Sequence, residues 1–187
     1  MRLLDYPPML LQESPFDFAA TGWIYEIKFD GYRLMALVDR GQIELRTRGG
    51  ADATDCFPET RAALASLAGG SHVLDGEICV LDSLGRSDFD VLQERARIRR
   101  WYRGAPAVAY MAFDLLVENG KELTAVPLEG RKLRLANVLN PDPLGVVALD
   151  HFKDGKQLFD EAVRPLQRKI KRDQSTPPQR YRRKKHI

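Results

Sequence analysis

Apolar and polar positions alternate through much of the first half of the chain. In "GWIYEIKFD", Trp23, Tyr25, Ile27 and Phe29 interleave with Ile24, Glu26, Lys28 and Asp30, the two-residue period of a strand with one apolar and one mostly polar face. Glu26 and Lys28 therefore share a side. Asp30-Gly31 predicts a turn into a second strand, "YRLMALVD", and "RGQ" a turn into a third, "IELRT". After the loop "RGGADATDC", "FPETRAALASLAGG" has proline near its start and glycine at its end, which predicts a helix. "HVLDGEICVLD" returns to strand period, with Leu74, Ile78 and Val80 on one face and Asp75 and Glu77 on the other. "SDFDVLQERARIRRW" opens on a capping pattern, Ser87 with Asp90 three residues on, and continues at helical spacing. "AVAYMAFDLLV" predicts a buried strand closed by the hairpin signal "ENGK". A helix over "PLEGRKLRLANVL", a short strand over "GVVALDHF" and a helix over "GKQLFDEAV" follow. Strands and helices mix without regular β-α-β alternation, so the expected class is α+β with largely antiparallel sheets flanked by helices.

A length of 187 residues and 44% hydrophobic content suit one ordinary domain with a real core. Charge changes the picture only when it is divided. From Arg164 onward there are ten Lys or Arg and one acid, Asp173, a net of +9, whereas the preceding 163 residues hold 19 basic and 25 acidic side chains, a net of −6. All the basic excess lies in the tail. The body is therefore expected to be built around a site rather than along a phosphate track, and the division expected is a domain over 1–163 and a basic, disordered tail over 164–187. Cys56 and Cys79 form no C-x-x-C pair and read as core or semi-buried residues of a protein in a reducing compartment. No signal peptide and no apolar run long enough to span a bilayer is present in these residues, so the expectation is a soluble, cytoplasmic protein without a membrane partner.

The candidate chemistry centres on "EIKFDGYR". A strand lysine is ordinarily a half-exposed residue paired with a neighbouring acid such as Glu26. Here Lys-x-Asp-Gly with Arg33 supplies a nucleophile, a tight turn and a cation able to meet a phosphate. An unperturbed ammonium near ~10.4 is neutral about once in 2,500 molecules at pH 7, so presenting the amine costs about 4.6 kcal/mol unless a cation or metal ion lowers it. Further on, "LRTRGG" places Arg48 at a strand end beside two glycines, "LDGEICVLD" places Glu77 on a polar strand face, and "AFDLL" places Phe113 and Asp114 on opposite faces.

Taken in this order the segments resemble the covalent nucleotidyltransferases, most closely the ATP-dependent DNA ligases of the bacterial end-joining type. "EIKFDGYR" is similar to the adenylated-lysine motif, "LRTRGG" to the Ser/Thr-Arg motif, "LDGEICVLD" to the Asp-Gly-Glu motif and "AYMAFDLL" to the aromatic-Asp motif; "PPML" matches how such domains begin. The resemblance covers roughly residues 8 to 163. It implies an ATP-grasp-like adenylation domain in which Lys28 attacks the α-phosphate of ATP and keeps AMP. Arg33 and Arg48 would hold phosphate and ribose, Phe113 would stack on adenine, and Glu26 would contact the base. Glu77 would face the ribose or hold Mg²⁺. The implied substrate is nicked or broken double-stranded DNA at the nucleoid, with end-joining repair proteins as partners, in repair and recombination. The later Glu-Gly-aliphatic-Val-x-Lys and Lys-x-Lys strands and the oligonucleotide-binding barrel are not found intact. "LQRKIKRD" is a degraded candidate for the former. The expectation is thus a truncated adenylation domain with impaired sealing. Two alternatives stay open: an inactive fragment that binds nucleotide and nucleic acid, and an RNA ligase or capping-type nucleotidyltransferase.

Overall fold

A computed structural model describes residues 1–10, 12, 20–141, 143–163 and 169–174, with 160–163 and 169–174 described by backbone alone. The elements run β1 (Trp23–Lys28), β2 (Tyr32–Asp39), β3 (Gln42–Thr47), α1 (Pro58–Ala65), β4 (His72–Cys79), α2 (Phe89–Arg97), β5 (Ala109–Glu118), β6 (Lys121–Glu122), α3 (Leu128–Val138), β7 (Val146–Ala148), α4 (Gly155–Val163) and β8 (Lys169–Gln174). A single 3-10 turn, Leu3–Asp5, precedes them. The fold is α+β, as the pattern predicts, and no oligonucleotide-binding barrel occurs among the described residues.

The main sheet has the order β3-β2-β4-β5-β6, all antiparallel, and β7 joins β5 in parallel beside its first residues. Its tight turns follow from residue chemistry. Arg40 and Gly41 take φ of 50° and 81°, and Asn119 and Gly120 take 49° and 78°, the paired positive values that match the twist of two-residue hairpins. One face carries Leu34, Ala36, Leu74, Ile78 and Tyr110 against Leu64 of α1, Leu92 of α2 and Leu135 of α3. Each of these leucine and isoleucine side chains, fully buried, contributes roughly 1.5–3 kcal/mol. The Tyr110 hydroxyl donates to the Leu34 carbonyl at 2.9 Å, across the intervening β4, and its ring takes the space where a Cβ on Gly76 would lie, 2.6 Å from Cζ. The opposite face carries Met35, Leu37 and Val73 under Leu3 and Tyr6. Arg33, Asp75 and Glu77 fall on this second face by strand alternation, so charge is gathered where helices do not cover the sheet.

Several expectations need correction. On the mostly polar face of β1, Ile24 and Glu26 are each 1% exposed. A strand charge counts as polar in a sequence pattern even when a partner buries it. The cap of α2 is Asp88, whose side chain accepts from the Val91 N–H at 3.1 Å, because Ser87 is engaged elsewhere. Of the tail expected to lack structure, residues 169–174 form β8, antiparallel to β1, with Lys28 opposite Lys169; residues 164–168 and 175–187 lie outside the described residues. Cys56 and Cys79 are free, the latter buried, as expected of core cysteines. No helix among the described residues is long and apolar enough to cross a membrane.

Candidate active site

The end of β1, the turn into β2 and the second sheet face enclose a cavity of about 610 Å³, within the range of small-molecule sites. Lys28, Arg33, Arg48, Glu77 and Phe113 all line it, together with Leu10 and Met111. Five of the six residues expected at the site are thus brought together from four separate stretches of chain.

The turn that presents Lys28 is pinned from both sides. The Asp30 N–H donates to Ser87 Oγ at 3.0 Å, and the Gly31 N–H donates to Glu77 Oε1 at 3.2 Å. Residue 31 has to be glycine because a Cβ there would run into the Ile78 carbonyl and come within 2.9 Å of Cys79 Sγ. Burial pushes the Cys79 thiol up to about 12, with the Glu77 charge adding to the shift, so this sulfur stays protonated and inert beneath the turn. Lys28 keeps 34% of its side chain exposed, and its Nζ lies 3.6 Å from Asp30 Oδ1. The acid that pairs with Lys28 is therefore Asp30, not Glu26.

Arg33 does not stand free to await an anion. Its Nε and Nη2 donate to the two Asp75 oxygens at 2.9 and 2.6 Å, its Nη1 donates to the Met9 carbonyl at 2.6 Å, and its guanidinium lies 5.2 Å from the centre of the Phe113 ring. The forked pair fixes the cation against the ring and ties the N-terminal segment over the sheet. Arg48 differs. Its N–H donates to the Arg33 carbonyl at 3.1 Å, but its exposed side chain has no hydrogen-bond or ion-pair partner among the described residues.

Glu26 is the residue the structure places apart, since it is not among those lining the cavity. Its carboxylate is buried against Lys132 of α3, whose ammonium also donates to the Phe113 carbonyl at 2.9 Å. The neighbouring Arg131 forks onto Asp114 at 2.7 and 2.8 Å. One helix turn thus holds β1 and β5 by two buried ion pairs. Sequence reasoning missed Lys132, Arg131 and Asp75. The available signal was the adjacent Arg-Lys pair on a helix otherwise read for its apolar spacing. Among the described residues no three His, Cys, Asp or Glu side chains converge to hold a metal ion.

Comparison with known proteins decides what this arrangement is. The profile of the ATP dependent DNA ligase domain matches residues 8–172. The chain belongs to that family. This ligase domain is 42% identical over 125 residues to the multifunctional non-homologous end joining protein LigD of Pseudomonas aeruginosa, covering 65% of the chain and 14% of the relative. It is 39% identical over 140 residues to LigD of Mycobacterium tuberculosis, covering 75% of the chain and 17% of the relative. The crystal structure of the ligase domain of M. tuberculosis LigD superposes with a TM-score of 0.69 at 32% identity, over 85% of this chain and 50% of that one. A mycobacterial DNA ligase D complexed with ATP and MES gives 0.70 at 32% identity and the same coverage. The ligase domain described here therefore spans less than a fifth of these LigD proteins and half of the solved ligase domain.

Proposed function

We propose that this domain carries out the adenylation half of DNA ligation. The neutral amine of Lys28 attacks the α-phosphorus of ATP; a nitrogen–phosphorus bond forms, the bond to the bridging oxygen of pyrophosphate breaks, and the amine gives up its proton. AMP is then passed to the 5′-phosphate of nicked or broken DNA, and the adjacent 3′-hydroxyl displaces it. The observation that carries this reading is the convergence of Lys28, Arg48, Glu77 and Phe113 on one cavity of nucleotide size.

Each side chain has a role its surroundings support. Phe113, held by the Arg33 guanidinium on its face and by Lys132 at its carbonyl, offers a fixed plane for adenine. Arg33 is committed to Asp75, so its task is to orient that plane and the ribose, while Arg48, whose side chain has no partner among the described residues, meets phosphate. Glu26, shielded by Lys132, acts on the base through that lysine and Phe113 rather than by direct contact. Glu77 lines the cavity and would hold Mg²⁺, a hard ion that takes carboxylate oxygens. When bound, the ion neutralises phosphate charge.

The relatives named for non-homologous end joining support broken DNA as substrate and end-joining repair proteins as partners. The test is intact-mass measurement after incubation with Mg²⁺ and ATP or GTP. A single AMP adduct, absent from Lys28→Ala, is expected. A GMP adduct would favour a capping-type enzyme, and ATP binding without an adduct would favour a nucleotide-binding fragment.

A further inference from the structure

From Arg95 to Phe113 the chain carries five arginines and no carboxylate. Two of the five are accounted for within the fold. Arg95, 2% exposed, donates to the Pro106 carbonyl, pairs with Glu59 at 2.5 Å and lies 5.4 Å over the Phe57 ring, so it clamps the end of α2 to the far side of the following loop. Arg97 pairs with Glu94 at 2.9 Å. The other three, Arg99, Arg100 and Arg103, are exposed and make no hydrogen bond or ion pair through their side chains with the described residues. Among them stands Trp101, 54% exposed and with no ring partner among the described residues. Arg99 holds φ at 56°, a left-handed value that costs an arginine energy and ends the helix there.

Three cations within five positions, none with an ion-pair partner among the described residues, repel one another, and a half-exposed indole leaves apolar surface in water. A polyanion that also offers flat aromatic faces removes both penalties. Paired duplex DNA meets only the first need, because its base faces are already stacked on one another. An acidic peptide likewise satisfies the arginines and leaves the indole without a planar partner. An unpaired strand satisfies both, and stacking of a base on an exposed aromatic beside cations is how such strands are commonly held. The patch is also placed to matter. Ser87, just before α2, binds the turn carrying Lys28, and α2 has nine residues, so its far end lies roughly 13 Å from its start.

We propose that residues 97–103 form a docking surface for single-stranded DNA, with Trp101 stacking on an unpaired base and Arg99, Arg100 and Arg103 contacting its phosphates. The choice of DNA rests on the ligase reading above; the stacking and charge arguments do not. The test uses the full chain and a labelled duplex with a single-stranded overhang, against the same duplex made blunt. Trp101→Ala is expected to weaken overhang binding roughly 5- to 100-fold and leave blunt-duplex binding unchanged. The triple change Arg99→Gln, Arg100→Gln, Arg103→Gln is expected to reduce the slope of log affinity against log salt by about 2. Adduct formation on Lys28 should be unaffected in both variants. The proposal is overturned if the parent chain does not prefer the overhang, or if Trp101→Ala loses nothing or loses equally on both DNAs. It is also overturned if binding to anionic vesicles depends on Trp101 while DNA binding does not. A parent chain that binds overhangs through Trp101 but never forms an adduct would break the ligation reading and leave this surface standing.

Discussion

The ion pairs behind the cavity and the turn that lines it are built on opposite principles. Toward α3, charges are shut away in pairs: Glu26 with Lys132, Asp114 with Arg131 and Asp75 with Arg33, with side-chain exposures of 15% or less. Toward the turn, Lys28 approaches Asp30 at 3.6 Å with a third of its side chain in water, and Arg48 stands exposed at the rim. The sealed end is committed before any ligand arrives, because breaking a buried pair leaves a charge that neither water nor protein compensates. The rim end is hydrated, so its cations can turn onto a phosphate without first giving up a strong partner. A base needs one orientation, whereas a phosphate needs a cation that is not already held by a buried carboxylate.

That contrast can be broken by mutation, and the sealed end should show the larger effects. Lys132→Met strands the Glu26 carboxylate in the interior and is expected to cost about 3–5 kcal/mol in denaturant unfolding. Adding Glu26→Gln should recover most of that loss; a cost below about 1 kcal/mol for Lys132→Met would mean the pair does not hold β1 to α3. Gly31→Ala pushes a methyl into the Ile78 carbonyl and the Cys79 sulfur, and is expected to cost about 1–3 kcal/mol and to displace Lys28, seen as a fall in adduct formation larger than the stability loss explains. Arg48→Ala, at the rim, should change stability by no more than about 0.5 kcal/mol while slowing adduct formation about 10- to 100-fold, the loss of one charged hydrogen bond. Equal effects on stability from Arg48 and Lys132 would erase the distinction between the two ends.

The strands were legible because their residues alternate and their turns carry Arg40-Gly41 and Asn119-Gly120, whose positive φ values only a few residue types accept cheaply. Lys28, Arg48, Glu77 and Phe113 were legible as motif members, and the cavity gathers them. What stayed hidden depends on pairing across distance. Lys132 lies 106 positions from Glu26, and no local period announces that one will neutralise the other. The same blindness leaves the burial of Glu26 out of the strand pattern. Spacing to its own helix predicts a cap at Ser87, yet its hydroxyl accepts from the Asp30 N–H, 57 positions away. The basic run over 169–174 shows no strand alternation, yet it pairs antiparallel with β1.

The central claim is that the amine of Lys28 accepts AMP, and locating the modified residue tests it most directly. The protein incubated with ATP and Mg²⁺ is digested and its peptides are sequenced by mass spectrometry. AMP on Lys28, acid-labile and removed by added pyrophosphate with release of ATP, is the predicted result. AMP on any other residue, or an adduct that persists unchanged in Lys28→Ala, would contradict it.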